Sequence, residues 1–184
     1  LAGNGKIYCA PYNANKVLEI DPETSTTKLI GDDLSALGIG KNPWYKTSVL
    51  TGNGKIYCAP YNANKVLEID PETSTTMLIG DDLSTLGANH PVGYFWKYMT
   101  SVYSDPDKGG NGKIYCAPYG DWGKGNKVLE IDPKTSTTNL IGSNIGRMSG
   151  YVEPYKYSTS VLAGNGKICA IPYSAKKVLE INPV

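Results

Sequence analysis

The chain has 184 residues with 18 Lys+Arg against 17 Asp+Glu, a formal net charge of +1, so no charge excess points to nucleic acid or to an anionic membrane surface. No apolar run approaches the ~20 residues that a membrane-spanning helix needs, and 21 Gly and 12 Pro in a chain that is 40% hydrophobic suit short strands joined by tight turns. One histidine, four cysteines and no C-x-x-C spacing give a zinc site little to work with, and no cofactor or metal is expected.

Chain order is governed by a repeat. Gly3 to Thr27 reads GNGKIYCAPYNANKVLEIDPETSTT and recurs letter for letter at Gly52 to Thr76, with a varied third copy from Gly110 and a clipped fourth from Gly164. The glycines Gly5, Gly54, Gly112 and Gly166 are spaced by 49, 58 and 54 residues, periods that belong to solenoids or propeller blades. Within a repeat, TSVL (Thr47 to Leu50) is a short β-branched first strand. Asn53-Gly54 suits a type I′ hairpin. KIYCAPY is the second strand, NANK a loop, KVLEI the third strand, DPET a proline-set turn and STTKLIG the fourth. No stretch shows a sustained 3.6-residue period. Four antiparallel strands in meander order, repeated, predict an all-β β-propeller of four-stranded antiparallel meander blades.

The wording NKVLEIDPETSTTKLIG, Asn15 to Gly31, resembles the repeats of the YVTN and NHL-like propellers, which carry an Asn, a V-x-x-I-D strand, a turn and a Thr-rich strand. The resemblance covers all four copies and implies the propeller fold. It is silent on activity, because that group holds scaffolds, receptors and some enzymes.

We take 1–184 as a single propeller domain, with repeats at about 1–46, 47–99, 100–158 and a partial 159–184. The first copy is read as starting inside its first strand and the last as ending after its third. That leaves four first, second and third strands but three fourth strands. The four repeats form either a closed small propeller or an arc of a larger one. Cys9, Cys58, Cys116 and Cys169, one per repeat, read as free, buried packing residues rather than disulfides. The sequence leaves the compartment unknown; a reduced intracellular one is favoured, and the resemblance of the repeats leaves an organelle open.

Sequence differences concentrate in the connections between blades. Aligned on TSV, a tyrosine recurs two places before the threonine: Tyr45, Tyr98 and Tyr157. Around it lie Trp44, Tyr94, Phe95, Trp96 and Tyr155, with Lys46, Lys97 and Lys156 nearby. In a meander blade these connections share one face with the loop between the second and third strands. That loop adds Trp122 and Tyr12, Tyr61, Tyr119 and Tyr173. Tyr and Trp pair a large apolar area with a polar tip, so this face is the expected binding surface.

Near-identical blades suit a scaffold better than an active site, which needs different groups in different roles. The expected function is a noncatalytic binding module for a protein partner, as one subunit of a larger assembly. A carbohydrate-binding lectin using the aromatic face is the alternative, and a lactonase-like hydrolase a more distant one. Glu19, Glu68, Glu130 and Glu180 recur on the third strand and are expected to pair with lysines.

Overall fold

The computed structural model describes residues 1–37, 44–86, 96–120, 126–145 and 155–183. They form four antiparallel meander sheets in chain order. The first comprises β1 (Ile7–Cys9), β2 (Val17–Asp21) and β3 (Thr26–Ile30). The second comprises β4 (Val49–Leu50), β5 (Ile56–Cys58), β6 (Val66–Asp70) and β7 (Thr75–Ile79). The third comprises β8 (Val102–Tyr103), β9 (Ile114–Cys116), β10 (Val128–Asp132) and β11 (Thr137–Ile141). The fourth comprises β12 (Tyr157–Leu162), β13 (Ile168–Pro172) and β14 (Leu179–Ile181). Two short 3-10 turns, Leu34–Leu37 and Pro106–Lys108, are the helical segments among the described residues.

The repeat therefore yields the expected sheets, with one difference in strand count. The first sheet begins at the second strand of the repeat, so there are three first strands (β4, β8, β12), not four. Leu1 and Ala2 are too few to make a ladder. Ala2 is held by the hairpin bond from its N–H to the Lys6 carbonyl, 2.8 Å.

The hairpin is also not the expected type I′ turn. Gly54 has φ +79°, but Asn53 is not among the positive-φ residues. Gly54 N–H reaches the Thr51 carbonyl and Thr51 N–H reaches the Lys55 carbonyl, both at 3.0 Å. This is a three-residue loop closed by a left-handed glycine, which supplies the strand twist by another route. The Asn53 side chain stays inside the loop, accepting from Lys55 N–H at 3.0 Å and donating to the Tyr57 hydroxyl at 3.1 Å.

Successive sheets pack face to face, and the same two faces meet each time. Tyr8, Val17 and Ile30 of the first sheet share a core with Ile56, Cys58, Leu67 and Ile69 of the second. Tyr57, Val66 and Ile79 of the second share one with Ile114, Cys116, Leu129 and Ile131 of the third. Tyr115 and Val128 of the third meet Ile168 and Ile181 of the fourth. Strands β5 and β9 are consequently buried on both faces, which explains their lack of apolar–polar alternation.

The arc is open at both ends. Leu29 on the first sheet is 58% exposed and Ile171 on the fourth is 42% exposed. The four cysteines divide accordingly: Cys58 and Cys116 are buried and free, but Cys9 is exposed and Cys169 half-buried, because no neighbouring sheet covers them. Burial pushes the Cys58 thiol up to about 12.

Hydrogen bonds and fit pin the rim. Asp32 N–H donates to Thr76 Oγ1 at 3.1 Å, and Asp81 N–H to Thr138 Oγ1 at 2.9 Å, each from one sheet to the next. Gly31 and Gly80 sit at φ +74° against these threonines, and a Cβ on either would be built into the threonine side chain. Gly142 has φ +76° with nothing near its Cβ position. Gly31→Ala is therefore expected to lose about 1–3 kcal/mol more than Gly142→Ala, overpacking added to a shared backbone strain. Urea denaturation midpoints of the two variants check this, and equal losses would contradict the rim contact.

Candidate functional site

The connection entering each sheet runs beside the Pro-Tyr end of the second strand, and backbone hydrogen bonds step across all four sheets there. Trp44 N–H donates to the Tyr12 carbonyl (2.8 Å), Tyr61 N–H to Trp44 (2.9 Å) and Lys97 N–H to Tyr61 (2.7 Å). Tyr119 N–H donates to Lys97 (2.8 Å), Lys156 N–H to Tyr119 (2.7 Å) and Tyr173 N–H to Lys156 (2.8 Å). This staircase sets one tyrosine of every repeat, Tyr12, Tyr61, Tyr119 and Tyr173, on one face of the arc.

The side chains along it touch in sequence. Lys46 Nζ lies over the Tyr61 ring at 4.2 Å from its centroid and 5.6 Å from that of Tyr12. Tyr61 meets Trp96 (6.4 Å between centroids) and Tyr119 (5.9 Å). Tyr155 meets Trp96 at 5.3 Å, stacks on Tyr119 at 4.9 Å and takes Tyr173 edge-on at 5.8 Å. The spacings are those of favourable aromatic pairs, and the cation over Tyr61 adds a cation–π contact. Tyr61 and Tyr119 are buried, Trp96 and Tyr155 half-buried, and Tyr12 and Tyr173 exposed. Burial holds the Tyr61 phenol well above its ordinary range and pushes Tyr119 up to about 12. Both stay protonated at neutral pH and offer O–H donors and ring faces rather than bases.

The same connections carry two buried lysines, Lys97 and Lys156. Lys97 Nζ donates to the carbonyls of Ala63 (3.0 Å) and Asn62 (3.3 Å) in the second sheet's loop. Loss of hydration brings its amine down to about 7, partly opposed by Asp82.

The expected site residues separate into groups. Tyr45, Tyr98 and Tyr157 are buried pegs, each donating its hydroxyl to the lysine carbonyl that starts the third strand of its own sheet: Lys65 (3.0 Å), Lys127 (3.3 Å) and Lys177 (3.2 Å). Trp44 is also buried, its backbone in the staircase. Trp96 and Tyr155 come together on the aromatic path. Tyr94, Phe95 and Trp122 lie outside the described residues, as does His90. Sequence reasoning did not single out the burial of Lys97 and Lys156. The available signal was their shared place directly before Tyr98 and Tyr157.

The recurrent glutamates are structural. Lys6–Glu19, Lys55–Glu68, Lys113–Glu130 and Lys167–Glu180 pair at 2.7, 2.7, 2.8 and 2.7 Å. The Lys6 ammonium holds the Glu19 carboxyl below the usual range, although burial opposes it. Asp33 and Asp82 cap the turns after the fourth strand, accepting from Ser35 N–H (2.8 Å) and Ser84 N–H (2.7 Å).

No protein-family model and no curated protein sequence matches the chain. Solved structures do. The extracellular domain of a one component system from Bacteroides thetaiotaomicron aligns with a TM-score of 0.54 at 14% identity, covering 92% of this chain and 18% of that one. A streptogramin B lyase gives a TM-score of 0.54 at 12% identity, with 98% and 52% covered. An auxiliary nutrient binding protein from Bacteroides thetaiotaomicron gives 0.53 at 16%, with 91% and 43% covered. The likeness establishes a propeller-type fold. The chain spans between 18% and 52% of the length of these structures.

The lysine generates a pH prediction. The unfolded chain holds the Lys97 proton up to about pH 10, whereas the folded chain releases it near 7. Between those values the unfolded state binds more protons, so stability contributed at this position rises with pH. The unfolding free energy of the wild type is expected to gain on that of Lys97→Met as the pH goes from about 7 to about 10. Parallel curves from guanidinium melts across that range would contradict this assignment.

Proposed function

We propose that this chain is a noncatalytic binding module, a propeller arc that docks a protein partner through its aromatic face. The observation that carries the reading is the unbroken aromatic path from Tyr61 through Trp96, Tyr119 and Tyr155 to Tyr173, built from three sheets and their connections on a single face. Half-buried Trp and Tyr held by neighbours lose little side-chain entropy on binding and bury much area, the character of interface hot spots. Lys46 supplies a cation at one end. The near-identity of the first two repeats fits a scaffold, and the YVTN/NHL-like character of the repeat is part of this reading. Among similar structures, one is named as a nutrient-binding protein and one as an extracellular domain, which agrees with binding; the lyase is named as an enzyme.

The same rings present a carbohydrate with stacking platforms, and the experiment separates the two. Affinity capture from the native source with wild type and with Trp96→Ala and Tyr155→Ala is the test, with near-ultraviolet circular dichroism as the fold control. A stoichiometric protein partner whose affinity drops about 30-fold or more in folded variants is expected, a hot-spot loss of ~2 kcal/mol. A partner that binds folded variants as well as wild type would overturn the site. A glycan-array signal abolished by the same substitutions, with no protein captured, would turn the reading to a lectin.

A further inference from the structure

The two end faces of the arc are the two halves of an interface the chain already makes three times. On the first sheet, Ile7, Cys9, Leu18, Ile20 and Leu29 lie on one open face, fixed by the pairings Ile7↔Ile20, Cys9↔Leu18 and Leu18↔Leu29. Their counterparts in the second sheet, Ile56, Cys58, Leu67, Ile69 and Leu78, are packed under the first sheet. On the fourth sheet, Val161, Cys169, Ile171 and Glu180 share the opposite kind of face, set by Val161↔Cys169 and Cys169↔Glu180. Its counterpart in the first sheet, bearing Tyr8, Val17 and Glu19, is buried against the second. Apolar exposure of this extent on two separate sheets marks an interaction surface.

Polar groups match as well. Inside the chain, Asn4 Nδ2 and the Tyr8 hydroxyl donate to the Pro71 carbonyl at 3.0 and 3.2 Å, and Ser74 Oγ donates to Glu19 at 3.1 Å. By repeat position, Asn165 and Glu180 of the fourth sheet stand where Asn4 and Glu19 do. Pro22 and Ser25 of the first sheet stand where Pro71 and Ser74 do. Ser25 already holds the left-handed conformation of Ser74, φ +54° against +55°. The Glu180 side chain is 56% exposed, against 6% for Glu19 beneath its neighbour. The fourth sheet also replaces Tyr-x-Ala by Cys169-x-Ile171, exchanging a large and a small residue for a small and a large one on the same face.

We propose that a second copy of this chain covers both faces. The fourth sheet of each copy packs on the first sheet of the other, giving a two-fold ring of eight sheets with no open face. The contact is head-to-tail, and a half-turn between the two copies closes it into a ring rather than a filament. Eight sheets lie within the roughly 4 to 8 blades of closed propellers. This surface is separate from the aromatic face, and the inference does not depend on the binding function proposed above.

Sedimentation velocity of the purified chain is the test, with a 19.8 kDa monomer as reference. A discrete dimer is expected. Ile171→Glu and Leu29→Lys change exposed residues, so each should keep the wild-type circular dichroism and weaken dimerisation at least ~10-fold. Mixing the two variants should restore dimers, because one interface is then unaltered and the other pairs Glu with Lys. Maleimide should label Cys9 and Cys169 more slowly in the dimer than in the Ile171→Glu or Leu29→Lys monomer, since each comes under a neighbouring sheet as Cys58 and Cys116 already do, and equal labelling rates overturn the proposal. A monomer up to ~100 μM, where a standard-size interface would be filled, overturns the proposal. So do an open series of higher oligomers, or dimers of the variants that mixing does not restore.

Discussion

A short meander sheet with apolar residues on both faces cannot stand alone in water, and that constraint orders this molecule. Every strand among the described residues is two to six residues long, too short to be stable as an isolated hairpin. What fixes each sheet is its neighbour: the Tyr/Val/Ile face of one against the Ile/Cys/Leu face of the next. Burial of such side chains is worth roughly 1.5–3 kcal/mol each relative to exposure. The polar groups in the seam are satisfied across it, Thr76 and Thr138 at the rim and the Asn4–Tyr8–Pro71 cluster at the hairpin end. The arrangement behaves as a one-dimensional stack, in which each repeat depends on its nearest neighbours.

The aromatic face is a consequence of the same stacking. Each repeat ends its second strand with Pro-Tyr, and each connection returns along that end, so the staircase of backbone bonds from Tyr12 to Tyr173 brings the rings of successive repeats within contact. Buried Tyr45, Tyr98 and Tyr157 hold each connection to its own sheet, leaving Trp96 and Tyr155 to project onto the path. The rings are thus held in place by their neighbours within the fold itself.

The fold was largely legible, because quadruplicate wording ties turn residues and β-branched runs to one period. What escaped was geometric. Asn53-Gly54 is compatible with two hairpin types, and letters alone do not tell whether both residues or Gly54 alone take positive φ. Leu1 and Ala2 resemble the tail of a first strand but are too short to pair as one. The recurrence of Tyr45, Tyr98 and Tyr157 marked an essential role without showing that the role is a buried peg. The burial of Lys97 is equally invisible locally, because its partners Asn62 and Ala63 lie 35 and 34 residues away.

Native-state hydrogen exchange tests the central claim most directly, using the Ile171→Glu chain so that self-association does not protect the end sheets. Face-to-face stacking predicts that amides of β5, β6, β9 and β10, buried on both sides, exchange only with global unfolding, while β3 and β14 open earlier. Equal protection in all four sheets, or greater protection in the first and fourth, would contradict the account.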